Sequence, residues 1–179
     1  MKASLSDQRS ILDIQNFDFT TSTLKNKASN LPEIAQISTL TIKQNNARDL
    51  RIAAETELSD TKRELSRAEA DVEQIVTRIN RDEARLSSGQ GAAKELEQLQ
   101  HELGTLATRR SELEEVELEV MMRVDGIKER IETLKNEEAA LALEIANLEI
   151  SKENALTVIG SDIAAIEEDR KRTVTSINP

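Results

Sequence analysis

Cysteine, tryptophan and tyrosine are absent from this 179-residue chain, and phenylalanine occurs only as Phe17 and Phe19. Without cysteine the chain can form no disulfide and no thiolate zinc site, and it offers no cysteine nucleophile. With aromatics at 1%, it lacks the bulk on which a compact core normally rests. Five glycines and two prolines leave few places where a helix would be interrupted. The one histidine, His101, has no second imidazole or thiolate with which to complete a metal site. No apolar run reaches the 18 residues of a membrane span, and the opening MKASLSDQRS lacks the apolar segment of a secretory signal. The expected location is cytoplasmic, with no membrane partner.

What remains is rich in Ala, Glu, Lys, Leu and Arg, with 32% of residues charged, the composition of long helices and coiled coils. A net charge of −10 argues against nucleic acid or anionic lipid binding over the whole surface, because neutralising phosphates needs clustered Lys and Arg.

The chain midpoint falls within SSGQGAA, where Gly89 and Gly91 break a sequence otherwise suited to helix. Arms of nearly equal length flank it, as an antiparallel hairpin requires. Stepping by seven from Leu99 gives Leu106, Leu113, Val120, Ile127, Leu134, Leu141, Leu148 and Ala155, an unbroken apolar column. The companion column from Leu96 runs through Leu103, Arg110, Glu117, Val124, Ile131, Glu138, Ile145, Lys152, Ile159 and Ile166. One full and one interrupted stripe describe a coiled-coil seam with polar defects.

The first arm repeats this with Leu58, Leu65, Val72, Ile79 and Leu86 beside Leu40, Ala47, Ala54, Thr61, Ala68 and Ile75. Its small residues suit two closely packed helices. The seam loosens at Gln44 and Arg51. Pro32 cannot donate a backbone hydrogen bond and turns Leu31 from helical dihedrals, predicting a kink at residues 30–32 with Ser29 or Asn30 capping the helix that follows. Residues 5–28 form a separate, shorter amphipathic helix of less regular spacing. The expected fold is therefore all-α: a long antiparallel two-helix coiled-coil hairpin with a short N-terminal helix. Its expected segments are residues 1–30 (N-terminal helix), 31–87 (first arm), 88–91 (tip turn, within a tip region at 87–92), 92–174 (second arm) and 175–179 (tail).

If facing residues sum to about 178, Glu112, Glu114, Glu115, Glu117 and Glu119 lie beside Lys62, Arg63 and Arg67. Arg78, Arg81 and Arg85 then oppose Glu95 and Glu97, and Leu58 sits beside Met121. Met121 and Met122 are expected to fill gaps beside the seam. The competing architecture, one continuous helix dimerising in parallel, must keep both tip glycines in a helix interior at about 1 kcal/mol each.

Chemistry-bearing patterns are sparse. SSGQG has glycines but no preceding strand and no Gly-Lys-Ser/Thr, so it reads as a turn and not as a phosphate loop. Carboxylates abound, but acid–base catalysis needs a pocket that desolvates one of them, which a two-helix layer does not offer; an enzyme is not expected. Arg170, Lys171 and Arg172 suit a helix C-terminus by complementing its dipole and free carbonyls. Their other reading is a nucleic-acid contact.

The segment SGQGAAKELEQLQHELGTLATRRSELEEVELEVMMRVD, residues 88–125, resembles the hairpin tip of the bacterial C4-type zinc-ribbon, coiled-coil proteins. Ser88, Gly89, Lys94, Glu95, Leu96, Leu99, Gln100, His101, Glu102, Leu113, Glu114, Leu118 and Met121 occupy the matching positions. The opening MKASLSDQRSILDIQNFD resembles that family's actinobacterial branch. The resemblance implies a kinked helical hairpin that docks protein partners, such as transcription, secretion or flagellar components in some lineages. It also implies a following zinc ribbon of two Cys-x-x-Cys pairs that contacts nucleic acid or protein. This chain has no Cys and stops at Ser176-Ile177-Asn178-Pro179, about where the family leaves its second helix, so zinc is expected only in a longer, ribbon-containing form.

The leading expectation is a non-enzymatic adaptor, monomeric or homodimeric. It would dock protein partners at the tip (Ser88, Gly89, Gln90, Gly91, Lys94 and Glu95) and along the interrupted seam near Gln44, Arg51, Glu138 and Lys152. The alternatives are a nucleic-acid-associated regulator, in which the hairpin spaces or dimerises a ribbon, and a passive filament element.

Overall fold

In the computed structural model, residues 5–177 are described, and they form three helices: α1 (Leu5–Ser29), α2 (Pro32–Ser88) and α3 (Ala93–Ser176). No strand occurs among the described residues. The fold is an all-α coiled-coil hairpin, with the chain breaking beside Pro32 and reversing at Gly89–Ala92 as the breaker residues predict. Asn178 and Pro179 of the expected tail lie outside the described residues. Two compact units are distinguished, residues 47–137 and residues 1–46 with 138–179.

The 47–137 unit contains the turn. Its seam sets small residues of α2 against branched residues of α3: Ala47, Ala54 and Thr61 are buried, as are Leu106, Val120, Val124, Ile127 and Ile131. Ala54, Ile127 and Ile131 form a contiguous cluster against which Leu58 packs. Small side chains on one helix leave room for bulky ones from the other.

The register differs from expectation. Arg130 bonds Glu57, and Arg123 bonds Glu64 at 3.0 Å, both pairs summing to 187; nearer the turn Arg78 reaches Glu102 at 3.8 Å, summing to 180. The physical reason is the lean of helical side chains toward their own N-terminus. In an antiparallel pair the two leans are opposed, so residues that touch lie at higher numbers on both helices than residues level with each other.

The expected charge pairing changes with it. Arg123 and Arg130 of α3 bridge to glutamates of α2 and Arg78 of α2 bridges to Glu102 of α3, whereas Arg63 turns to Asp60 and Glu112 and Glu114 are held by Arg109 and Arg110 of their own helix. Met121 is 44% exposed and Met122 is 69% exposed, so neither fills a gap, and Leu58 meets the Ile127 cluster instead.

The α2 column Leu40 to Ile75 continues one step further, to Asp82, which is 3% exposed. Its carboxylate is approached by Arg81 Nε at 3.4 Å and Arg78 Nε at 3.6 Å. A carboxylate withdrawn from water carries a desolvation cost that ion pairs to half-exposed arginines offset only in part. Asp82→Leu is therefore expected to stabilise the chain by about 1 kcal/mol, read as a higher urea midpoint. A lower midpoint would show that the buried cluster is net stabilising.

In the other unit, α1 and the first turns of α2 both pack on the C-terminal half of α3. Arg170 Nε donates to Asp18 at 2.7 Å, Lys25 lies 4.0 Å from Glu167, and Ser151 Oγ donates to Glu33 at 3.2 Å. The spacing in α1 is regular after all. Asp7, Ser10, Ile14, Phe17, Thr21, Leu24 and Ala28 are its half-covered residues, alternating three and four apart up to buried Leu31. Polar residues within this stripe, and apolar Leu5, Ile11, Leu12 and Phe19 outside it, conceal the heptad from a reading of hydrophobicity alone.

The expected cap at Ser29 or Asn30 is also corrected. Ser29 Oγ donates to Lys25 O and Asn30 Nδ2 to Asn26 O, so both side chains close α1. Pro32 opens α2 at the first helical position, where its missing N–H would have had no intrahelical partner anyway.

Candidate functional site

The tip residues are brought together, and much of their identity has a structural cause. Ser88 closes α2, its Oγ donating to Arg85 O at 2.7 Å, and Gly89 N–H donates to Leu86 O at 3.2 Å. Gly89 has φ 63° and Gly91 φ 144°, both in the region that favours glycine. Glu95 Oε2 accepts from the Ala92 N–H at 3.3 Å, which is the half of a capping box that reaches back from the third helical residue. Ser88, Gly89, Gln90, Gly91, Lys94 and Glu95 are all exposed, so the tip is accessible while serving first to reverse the chain.

The polar seam breaks turn inward as their column positions require. Gln44, Arg51, Glu138 and Lys152 are each half-buried, with Arg51 donating to Glu55 at 2.8 Å and Lys152 pairing with Glu149. An opening lies in the unit that holds Gln44, Glu138 and Lys152. Ala35, Gln36, Thr39 and Leu40 of α2 and Glu144, Asn147 and Leu148 of α3 line a shallow groove of about 470 Å³. Seam residues Leu40 and Leu148, both half-buried, form its floor. Periodicity identified both leucines as seam residues, but it carries no signal for the space left above them.

Arg170, Lys171 and Arg172 do not act on the helix terminus, because α3 continues to Ser176, past them. Arg170 makes a two-point contact with Asp18, at 2.7 and 3.4 Å, and Arg172 pairs with Asp169. The hydrogen bond from Arg170, followed by its charge, holds the Asp18 carboxyl below the usual carboxylate range, and the same bond raises Arg170. A depressed carboxylate contributes stability above its unfolded value and loses it as pH falls through the folded one; this pair lies at the surface, where solvent screens it, and that keeps the contribution small. Lys171, Arg170 and Lys25 border a polar crevice of about 450 Å³ in which Asp18 and Glu167 set two carboxylates among the three cations.

His101, two residues after Leu99 of the seam, is exposed. Among the described residues, no three His, Cys, Asp or Glu side chains gather where they could hold a metal ion, and no helix is long and apolar enough to cross a membrane.

Relatives share this architecture. The Mycobacterium tuberculosis proteins named Rv2229c (strain H37Rv) and MT2288 (strain CDC 1551) are each 30% identical over 183 residues, covering all of this chain and 73% of the relative. Mycobacterium leprae ML1638 is 27% identical over 118 residues, covering 66% of this chain and 51% of that protein. A solved Mycobacterium smegmatis structure superposes with a TM-score of 0.80 at 26% identity, covering 99% of this chain and 74% of that one. The HP0958 protein of Helicobacter pylori, at 17% identity and the same coverage, gives a TM-score of 0.63, a likeness of fold. Residues 14–179 match the family described as the CT398-like coiled coil hairpin domain. The two stripes of seam residues, the glycine turn and this match over nearly the whole chain lead to one assignment: the chain belongs to the CT398-like coiled coil hairpin domain family.

Proposed function

We infer that the chain is a non-enzymatic coiled-coil adaptor that seats an amphipathic helix of a protein partner in the groove between α2 and α3. The groove is the observation that carries this reading. Recognition of a helix by a groove needs an apolar floor, a polar rim and enough length to hold residues spaced three and four apart. Leu40 and Leu148 supply the floor, and Gln36, Glu144 and Asn147 the rim. The half-buried polar residues Gln44 and Lys152 lie one to two turns away on the two helices and weaken the seam there, which favours admission of a third helix. The exposed tip is a second docking surface of the same adaptor.

Catalysis has little support. The buried carboxylate, Asp82, is neutralised by Arg78 and Arg81 and lies in the seam, where no substrate would reach it. A nucleic-acid role through Arg170, Lys171 and Arg172 would require phosphate to displace Asp18 and Asp169, so it rests on a zinc ribbon in a longer form. The thiolates of such a ribbon are not among these residues.

The test uses exposed rim residues, so that folding is preserved. Thr39→Arg with Asn147→Arg is expected to reduce partner recovery from extract of the native host by about tenfold, a loss of roughly 1.4 kcal/mol. Lys94→Glu at the tip serves as the comparison. Undiminished recovery with the rim variant would remove the groove as the seat, and binding that falls steeply with salt would favour the nucleic-acid reading.

A further inference from the structure

Neither the seam nor the groove uses the outer face of α1. With Asp7, Ile14, Thr21 and Ala28 in one seam column and Ser10, Phe17 and Leu24 in the other, the heptad position farthest from the seam is held by Leu5, Leu12 and Phe19. These are 79%, 62% and 73% exposed, and successive members stand about 10.5 Å apart along the helix. That position normally carries polar side chains. Here it carries one of the two phenylalanines of the chain, so α1 is apolar on two opposite faces, of which α3 covers one.

Charge selects what covers the other. Asp7, Asp13 and Asp18 balance Arg9, Lys25 and Lys27, so α1 is neutral within a chain of net charge −10. Two copies repel over most of their surface but can approach through α1. An anionic lipid surface would require cations along the stripe, and among the described residues only Arg9 adjoins it.

The spacing is also self-complementary. A two-fold axis through Leu12 sets Leu12 against its own copy and Leu5 against Phe19 of the second copy, as an isologous contact demands. Arg9 then faces Gln15 and Asn16 of the second copy, whereas a parallel arrangement would set Arg9 against Arg9. We propose that the chain self-associates as an antiparallel dimer through Leu5, Leu12 and Phe19 of α1. One helix face buries less than the ~1,200 Å² of a stable standard interface, so the dimer is weak and depends on concentration.

Sedimentation velocity of the full chain, from low micromolar to about 1 mM, should show the weight-average mass rising toward twice the monomer value. Leu12→Glu and Phe19→Glu should remain monomeric throughout, with unchanged circular dichroism because both side chains are exposed. Since the chain has no native cysteine, Leu12→Cys should form a disulfide dimer on mild oxidation. Leu5→Cys should do so only when mixed with Phe19→Cys. A wild type that stays monomeric, a Leu12→Glu variant that still dimerises, or Leu5→Cys linking to itself as readily as Leu12→Cys would each overturn the proposal. So would a monomer that sediments with phosphatidylglycerol vesicles, which would give the stripe to lipid.

Discussion

Ile127→Ala is expected to lower the unfolding free energy by about 3 kcal/mol, while Met122→Ala, on the same helix, changes it by less than about 0.5 kcal/mol. Both substitutions remove a large apolar side chain, so burial alone separates them. Ile127 is 6% exposed and packed with Ala54, Ile131 and Leu58, whereas Met122 is 69% exposed. Truncating Ile127 forfeits its transfer free energy and leaves a void facing Ala54, which is too small to fill it. A two-helix layer has no further shell of side chains to collapse inward, and this keeps the cost toward the middle of the usual range. Urea unfolding monitored by circular dichroism would measure both. Equal losses would mean that the helices slide to a register in which Met122 replaces part of the lost packing, and the observed register would then not be unique.

At the turn, Gly91→Ala is expected to cost roughly 2 kcal/mol and Gly89→Ala about 1 kcal/mol. Gly89, at φ 63°, occupies the left-handed helical well, and a Cβ added there meets nothing within 4 Å. Its penalty is purely local. Gly91, at φ 144°, lies where L-residues are rarely found, and a Cβ there would stand 3.2 Å from Glu95 Oε2. The Glu95 side chain can move, but moving gives up its bond to the Ala92 N–H, so backbone strain and a lost cap add together. The same urea experiment distinguishes the sites by their order. Losses below about 0.5 kcal/mol at both would show that the turn rearranges freely and that the glycines do not set its path.

Much of the hairpin was legible in the residues. All members of the α3 columns from Leu96 to Ile166 are at least half-buried except Arg110, and polar Glu117, Glu138 and Lys152 turn inward with the rest. The heptad therefore predicts orientation even where it fails to predict chemistry. Asp82 illustrates the limit: it occupies the next place in the α2 column, but hydrophobicity ended that column at Ile75. The same bias concealed the seam of α1, where Asp7, Ser10 and Thr21 face inward and Phe19 faces out.

The candidate site was less legible. The tip glycines were visible because backbone strain is written in residue type. The groove was not, because it depends on the sizes of side chains contributed by two distant segments, and a one-dimensional pattern says nothing of how far apart their tips lie. The fate of Arg170 was likewise hidden. Its partner, Asp18, lies on the opposite helix, and without that pairing a basic cluster near a chain end reads as a dipole partner or a phosphate contact.

Helix content, the break at Pro32, the reversal at Gly89–Gly91 and the face each residue presents follow from local rules: dihedral restriction, helix propensity and the 3.5-residue repeat act within a few positions of one another. Register, ion-pair partners, the groove and the uncovered face of α1 arise only once two helices lie side by side. Opposed side-chain leans then determine which residues meet, and the volumes that happen to face one another determine what is left open.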